Sequence, residues 1–335
     1  MHVAGMEPGS LSRNWWYYRR LPRLAAEVEA DVVHLAYPVP IDARAFSCPT
    51  VVTLHDLYPY EIPSNFGFPK VLFNQLVLQQ CLRSADSIAC VSDITYLRLG
   101  EYVPLGVRQK AVRIYNSVEP GPTCSRKSPI PGWNGEPFLL CVAQHRRNKN
   151  IALLIQVYQR LVESGRIDAS MKLVVIGIAG PETPHILRTI DHAGLRDCVR
   201  LMEGLSDPEL QWCYRNCEAV LAPSKTEGFG LPVVEGLLAG CRVVCSDIPA
   251  FRELGGEHCR YARLDGDAME GFAEAIVASL QEPRPEPIAM PQLCAPAIAS
   301  QYVRLYSKLL ASAGAGSNSM LSASVEAAEA ERQSL

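Results

Sequence analysis

A chain of 335 residues, 48% of them hydrophobic and 20% charged, is long enough for two ordinary domains, each with its own core. The net charge of −3 argues against bulk nucleic-acid binding, so no nucleic-acid partner is expected. No apolar stretch approaches the ~20 residues of a membrane span, and Met1-His-Val-Ala-Gly lacks the charged start and apolar run of a signal peptide; a cytoplasmic location is expected.

Short β-rich apolar runs alternate with helical-period segments, the pattern of parallel sheets covered by helices. Near the start, Arg13-Asn-Trp-Trp-Tyr-Tyr-Arg-Arg-Leu-Pro-Arg mixes aromatic and basic residues. Two readings stand for it: peripheral contact with an anionic membrane surface that positions a lipid-linked acceptor, or a helix packed on the first sheet. Strands are predicted at Asp31-Val-Val-His-Leu, Pro49-Thr-Val-Val-Thr-Leu, Ser87-Ile-Ala-Cys-Val and Val112-Arg-Ile-Tyr, with a helix from about Pro69 to Ser84 between the second and third. The second strand runs into Leu54-His55-Asp56-Leu57-Tyr58-Pro59. By itself a strand-end histidine such as His55 is more often a satisfied core residue. The Pro/Gly/Ser-rich stretch from Pro120 to Pro137 reads as a linker.

The alternation then restarts. Strands are predicted at Phe138-Leu-Leu-Cys-Val, Lys172-Leu-Val-Val-Ile, Val199-Arg-Leu-Met, Ala219-Val-Leu-Ala and Val243-Val-Cys, and the capping box Ser206-Asp-Pro-Glu209 opens one of the intervening helices. Gly177 and Gly180, past the second of these strands, suggest only a tight turn. A helix from about Ala268 to Ser279 precedes the break Glu282-Pro-Arg-Pro-Glu-Pro, and another runs from about Ala297 to Ala311. The tail, rich in Ala, Ser and Glu, lacks aromatic residues and reads as disordered. The expected fold is α/β, with two Rossmann-like doubly wound domains facing a cleft: a first domain at 1–119, a linker at 120–137, a second domain at 138–295, a last helix at 296–311 and a tail at 312–335.

The 12 cysteines include no C-x-x-C pair, and neither Cys213/Cys217 nor Cys241/Cys245 has histidines at zinc-ligand spacing. They read as buried free thiols of a reducing compartment.

The most informative run is Glu227-Gly-Phe-Gly-Leu-Pro-Val-Val-Glu235. Glu218-Ala-Val-Leu-Ala-Pro before it reads as a buried strand, and Pro232 begins a helix that stops at Gly240. The turn joins a strand's carboxyl end to a helix's amino end, where α/β proteins commonly bind ligands. There the N–H groups of Gly228, Phe229, Gly230 and Leu231 are expected to point out unpaired, ready for an anion such as a diphosphate. A nearby loop, Gln144-His-Arg-Arg-Asn-Lys149-Asn, adds three cations in four positions.

This run resembles the signature of the retaining, group 1 glycosyltransferases (family 4, GT-B fold): two Glu separated by seven residues around a G-F-G-L-P core. The resemblance covers roughly residues 30 to 311, through Ser206-Asp-Pro-Glu-Leu, Ala222-Pro-Ser224 and Gly240-Cys-Arg-Val-Val-Cys-Ser-Asp-Ile-Pro-Ala. It implies that Glu227 meets the donor sugar, that Glu235 holds the ribose hydroxyls, and that Ser224 belongs to the donor site. The basic loop matches through Lys149-Asn150. The family's usual Arg positions read Asn148 and Gln144, so Arg146 or Arg147 must substitute, and Arg147 is favoured. Gly204, Leu205 and Ser206 are implied to line the base through main-chain contacts. His55 is implied to face the cleft near the reacting sugar, with Asp56 either orienting it or capping the next segment. Ser92 and Asn116 also match family positions, where a helix cap and a hinge turn are their expected duties. The last helix is implied to cross back to the first domain. Asp265-Gly-Asp267 looks like a metal motif of another glycosyltransferase class, yet it directly precedes a predicted helix, where Asp serves as an N-cap. No metal and no cofactor are expected.

One departure stands out. Relatives begin with a further strand and a glycine-rich loop that approaches the donor phosphates, so the first domain here is expected to be shortened at its N-terminus. The expected activity is transfer of a hexose from a UDP- or GDP-sugar to a glycan or lipid-linked glycan. The alternative is a catalytically impaired, donor-binding paralogue that acts as a partner subunit.

Overall fold

The computed structural model describes residue 5, residues 9–119, residue 121 and residues 124–313. In chain order the first domain consists of α1 (Ser10–Trp15), a π-helical turn (Trp16–Arg20), α2 (Leu21–Glu27), β1 (Val33–Leu35), β2 (Thr50–Leu54), α3 (Tyr58–Glu61), α4 (Lys70–Ser84), β3 (Ser87–Cys90), α5 (Asp93–Tyr102), α6 (Leu105–Arg108) and β4 (Ala111–Arg113). Its four strands are parallel in the order β1-β2-β3-β4. Every residue of β2 and β3 is buried, as expected of central strands covered on both faces. That explains why they read as unbroken apolar runs. The aromatic-basic stretch is helical and leans on this domain through Tyr17, Leu21 and Ala25, while Trp15 is 65% exposed.

The second domain comprises β5 (Phe138–Val142), α7 (Ile151–Glu163), β6 (Lys172–Ile176), α8 (Thr183–His192), β7 (Val199–Met202), α9 (Asp207–Asn216), β8 (Ala219–Ala222), α10 (Leu231–Leu238), β9 (Val243–Ser246), α11 (Pro249–Gly255), β10 (Arg260–Ala262) and α12 (Ala268–Leu280), followed by α13 (Ala295–Ala313). The sheet order is β10-β9-β8-β5-β6-β7, all parallel. Alternate strand residues feed two cores: Leu140, Val174 and Val220 face one layer of helices, and Leu139, Leu173 and Leu221 the other. The chain winds outward in opposite directions from β5 and β8. Their carboxyl ends therefore open a crevice at the topological switch point, and the loops leaving them are the basic loop and the Glu227 turn.

Two elements differ from the sequence expectation. The edge strand β10 was not foreseen, because Arg260-Tyr-Ala is too short and polar to show a period. The stretch before β5 is packed onto the second domain, with Ile130 in its core and the Trp133 ring 4.9 Å from that of Trp212. Pro120, Pro122 and Thr123 lie outside the described residues, as does the tail from 314 onward.

α13 docks on the first sheet: Ile298 and Leu305 pack with Val51, Ala89 and Ile114. His34 bridges Tyr306 Oη at 2.6 Å and Thr53 Oγ1 at 2.8 Å. The two inter-domain passages run side by side where Glu119 Oε1 accepts the N–H of Ala295 at 2.7 Å. All twelve cysteines are free; burial pushes the thiols of Cys81, Cys90, Cys141 and Cys213 up to about 12, so they act as small apolar fillers.

Candidate active site

The Glu227 turn is shaped by close approach. A methyl group at Gly228 would come within 1.7 Å of the carbonyl oxygen of His55, so the two domains touch there backbone to backbone. The carbonyl of Gly228 accepts the hydroxyls of Ser92 at 2.5 Å and Thr95 at 3.1 Å. Gly230 takes φ +108 and leaves no room for a Cβ against the ring of Phe251. Among the described residues, the N–H groups of Gly228, Phe229, Gly230 and Leu231 make no hydrogen bond within the protein. They stand at the amino end of α10, where a helix favours anions.

The two glutamates sit in different settings. Glu227, 8% exposed, accepts Lys149 Nζ at 2.6 Å on one carboxylate oxygen and the Tyr58 hydroxyl at 2.9 Å on the other. Burial and the carboxylates of Glu227 and Asp56 push the Tyr58 phenol far up, which keeps it a proton donor. Glu235 lies about one helical turn into α10 and accepts the hydroxyl of Tyr214 at 2.5 Å. Burial raises its carboxyl above the usual glutamate range, opposed by that hydrogen bond.

A cavity of about 570 Å³ spans the two carboxylates, within the usual size of a small-molecule site. Its walls bring together His55, Lys149, Arg146, Glu227, Gly228, Phe229, Gly230, Leu231 and Glu235. His55 is exposed on the cleft, and its Nε2–H donates to the carbonyl of Ala36 at 2.8 Å. Asp56 caps the next segment by accepting the N–H of Tyr58 at 3.1 Å.

The basic loop corrects one preference. Arg146 reaches the cavity and Arg147 does not, although both arginines line a neighbouring cavity with Lys225. The cause is Asn148, which is fully buried. Its side-chain oxygen accepts Asn65 Nδ2 at 3.1 Å, and Asn65 Oδ1 in turn accepts the N–H of Arg147 at 3.2 Å. The loop is pinned at this point, with Arg146 on the cavity of the two glutamates and Arg147 off it. Gly204, Leu205 and Ser224 are not on the cavity wall either: Ser224 is buried, and α9 contributes Leu210 instead. Gly177 does line the cavity, and a Cβ there would meet the carbonyl oxygen of Ala143 at 2.0 Å; Gly180 abuts the carbonyl oxygen of His145 in the same way. These glycines let the β6 loop press against the basic loop.

Asn116 lines the cavity in addition to any hinge duty. Tyr58 and Tyr214 are partners that the sequence reading did not find. Tyr58 stood inside the quoted His55-Asp56 stretch, and only the pairing of domains reveals its target. Ser92 caps α5 through the N–H of Thr95 at 3.0 Å. Asp267 caps α12 through the N–H of Glu270 at 3.0 Å, while Asp265 pairs with Arg263 at 2.6 Å. Among the described residues no group of three or more His, Cys, Asp or Glu is placed to hold a metal ion, and no helix is long and apolar enough to cross a membrane.

Two family models divide the chain: "Glycosyltransferase Family 4" matches residues 3–121 and "Glycosyl transferases group 1" matches residues 125–287. The chain belongs to the group 1 glycosyltransferases. O-antigen chain mannosyltransferase B of Escherichia coli is 26% identical over 251 residues, which is 69% of this chain and 61% of that protein. The O-antigen chain mannosyltransferase RfbU of Salmonella typhimurium is 26% identical over 64% of this chain and 57% of its own length. The chain thus spans less than two-thirds of these relatives. Among solved structures, WaaG, a glycosyltransferase involved in lipopolysaccharide biosynthesis, superposes with a TM-score of 0.64 at 18% identity, covering 94% of this chain and 86% of WaaG. Sucrose-phosphate synthase from Thermosynechococcus elongatus gives 0.65 at 17% identity, covering 87% and 77%. These likenesses establish the GT-B fold of this glycosyltransferase-family chain.

Proposed function

We propose that the chain is a retaining glycosyltransferase that moves a hexose from a nucleotide sugar to a glycan or lipid-linked glycan, as in cell-surface polysaccharide synthesis. The observation that carries this reading is the Lys149–Glu227 pair, set in the cleft beside the unpaired amides of Gly228 to Leu231. A departing nucleoside diphosphate builds negative charge on its β-phosphate, and a catalyst needs fixed positive potential there. Lys149, Arg146 and the amino end of α10 supply it. Glu235 holds the ribose, and Glu227 accepts hydroxyls of the sugar.

The acceptor hydroxyl attacks C1 on the face that the diphosphate leaves. The C1–O bond to phosphate breaks as the new C1–O bond forms, and the acceptor proton passes to a leaving phosphate oxygen. No protein nucleophile and no metal ion enters this scheme, and Glu227 orients the sugar rather than attacking it. The relatives named as O-antigen mannosyltransferases make a mannosyl nucleotide the first donor to test. Peripheral contact at the inner face of a membrane, through the outward side of the N-terminal helices, fits a lipid-linked acceptor.

The test is a thermal-shift screen of UDP- and GDP-sugars on the full chain, followed by turnover with the donor found. Glu227→Ala is expected to lose transfer by about 10²-fold or more; full turnover in that variant sinks the assignment. Donor binding without transfer or hydrolysis in the wild type would instead leave a donor-binding partner subunit.

A further inference from the structure

We infer that Tyr58, from the opposite wall of the cleft, is a positioning residue that sets the orientation of Glu227 toward the donor sugar. This rests on the reading above, in which Glu227 meets that sugar. The phenol donates at 2.9 Å to Glu227 Oε2, while Lys149 takes Oε1 at 2.6 Å. With its two oxygens held from different domains, the carboxylate has one orientation. Losing Tyr58 frees Oε2 and lets both oxygens turn toward Lys149.

The contact is not isolated. Three consecutive residues of the turn are each met by first-domain side chains: Thr226 Oγ1 accepts Arg98 Nη1 at 2.9 Å, Glu227 accepts Tyr58, and the Gly228 carbonyl accepts Ser92 and Thr95. From the other side, Glu253 accepts the N–H groups of Asp93 at 2.7 Å and Ile94 at 3.1 Å, capping α5 across the domain boundary. Tyr58 is itself fixed, being 7% exposed and tied at its N–H to Asp56. Its phenol is neutral, so it holds Glu227 without competing with Lys149 for charge. Among the described residues Glu235 has no such first-domain partner, its hydroxyl donor being Tyr214 of the same domain. Nucleotide recognition and sugar recognition therefore depend on different walls of the cleft.

The experiment is Tyr58→Phe, which removes the hydroxyl and keeps the ring. Calorimetric titration uses GDP-mannose against GDP, and UDP-glucose against UDP. GDP or UDP should bind the variant as it binds the wild type, while affinity for the matching nucleotide sugar falls about tenfold, the scale of a lost hydrogen bond to a charged group. In a cycle with Glu227→Gln the two losses should overlap rather than add. Equal weakening of nucleotide and nucleotide sugar, additive losses, or an unchanged nucleotide-sugar affinity would each overturn the inference while leaving the proposed function standing. A wild type that binds none of these nucleotide sugars would overturn both.

Discussion

Glu227 and Glu235 belong to one short turn and helix, yet the fold treats them as different chemical objects. Glu227 lies at the seam between domains and is answered by a cation and a phenol from opposite walls. Glu235 lies within one domain and is answered by a neutral phenol, so burial shows as a raised carboxyl pKa. A buried carboxylate is tolerated when a charge-assisted bond replaces water, and is pushed toward its protonated form when only neutral groups do so. The same pair of residue types thus yields a sugar-facing group governed by the seam and a ribose-facing group governed by its own core.

The largest expected effect comes from removing the cation. Lys149→Ala leaves Glu227 buried without its counter-charge, which should destabilise the chain by about 3 kcal/mol in chemical denaturation and lower turnover by about 10²- to 10³-fold. Unchanged stability would mean that the two glutamates are not distinguished by charge compensation. Next is Gly228→Ala. Its methyl group would strike the His55 carbonyl, forcing the seam open and moving Tyr58 away from Glu227, while Glu235 and Tyr214 stay together. Transfer should fall about 10²-fold, as for a misplacement of the order of an ångström, with nucleoside diphosphate binding retained in calorimetry. Loss of both together would erase the contrast between seam and core.

The smallest effect is pH-dependent. The folded chain holds the Glu235 proton more tightly than the unfolded chain does, so above the ordinary glutamate value of 4.5 stability declines as pH rises through the raised carboxyl pKa. Glu235→Gln should remove that decline. Its melting temperature should gain on the wild type as pH rises through this window and keep the gain above it, while nucleotide affinity falls. Parallel melting curves for the two proteins from pH 4 to 8 would show that burial does not govern this group.

Much of the site could be read in the sequence because its parts are local. The Glu227 turn, the capping box at Ser206, the Asp267 cap and the basic loop each declare themselves within a few residues. Arg146 and Arg147 mark where that legibility ends. They are adjacent and chemically identical, yet only Arg146 reaches the cavity of the two glutamates, and the loop's setting there depends on Asn65, more than eighty positions away, clamping Asn148. Gly204 and Leu205 make the same point: a turn after a strand is legible, but the cavity wall takes Leu210 of α9 rather than this turn.

The alternation of buried strands and amphipathic helices and the anion-ready opening of α10 were settled by residue order, since each follows from periodicity or turn chemistry within a short window. The crossing back of α13 was implied only by the family resemblance, and it is made by packing Ile298 and Leu305 on the first sheet. What docking of the domains decided was which hydroxyl, cation or carbonyl each motif residue would meet: Tyr58 on Glu227, Ser92 on Gly228, Glu253 on α5. Those partners come from the opposite wall, and a linear chain carries no local signal for a contact that exists only when two separately folded surfaces meet.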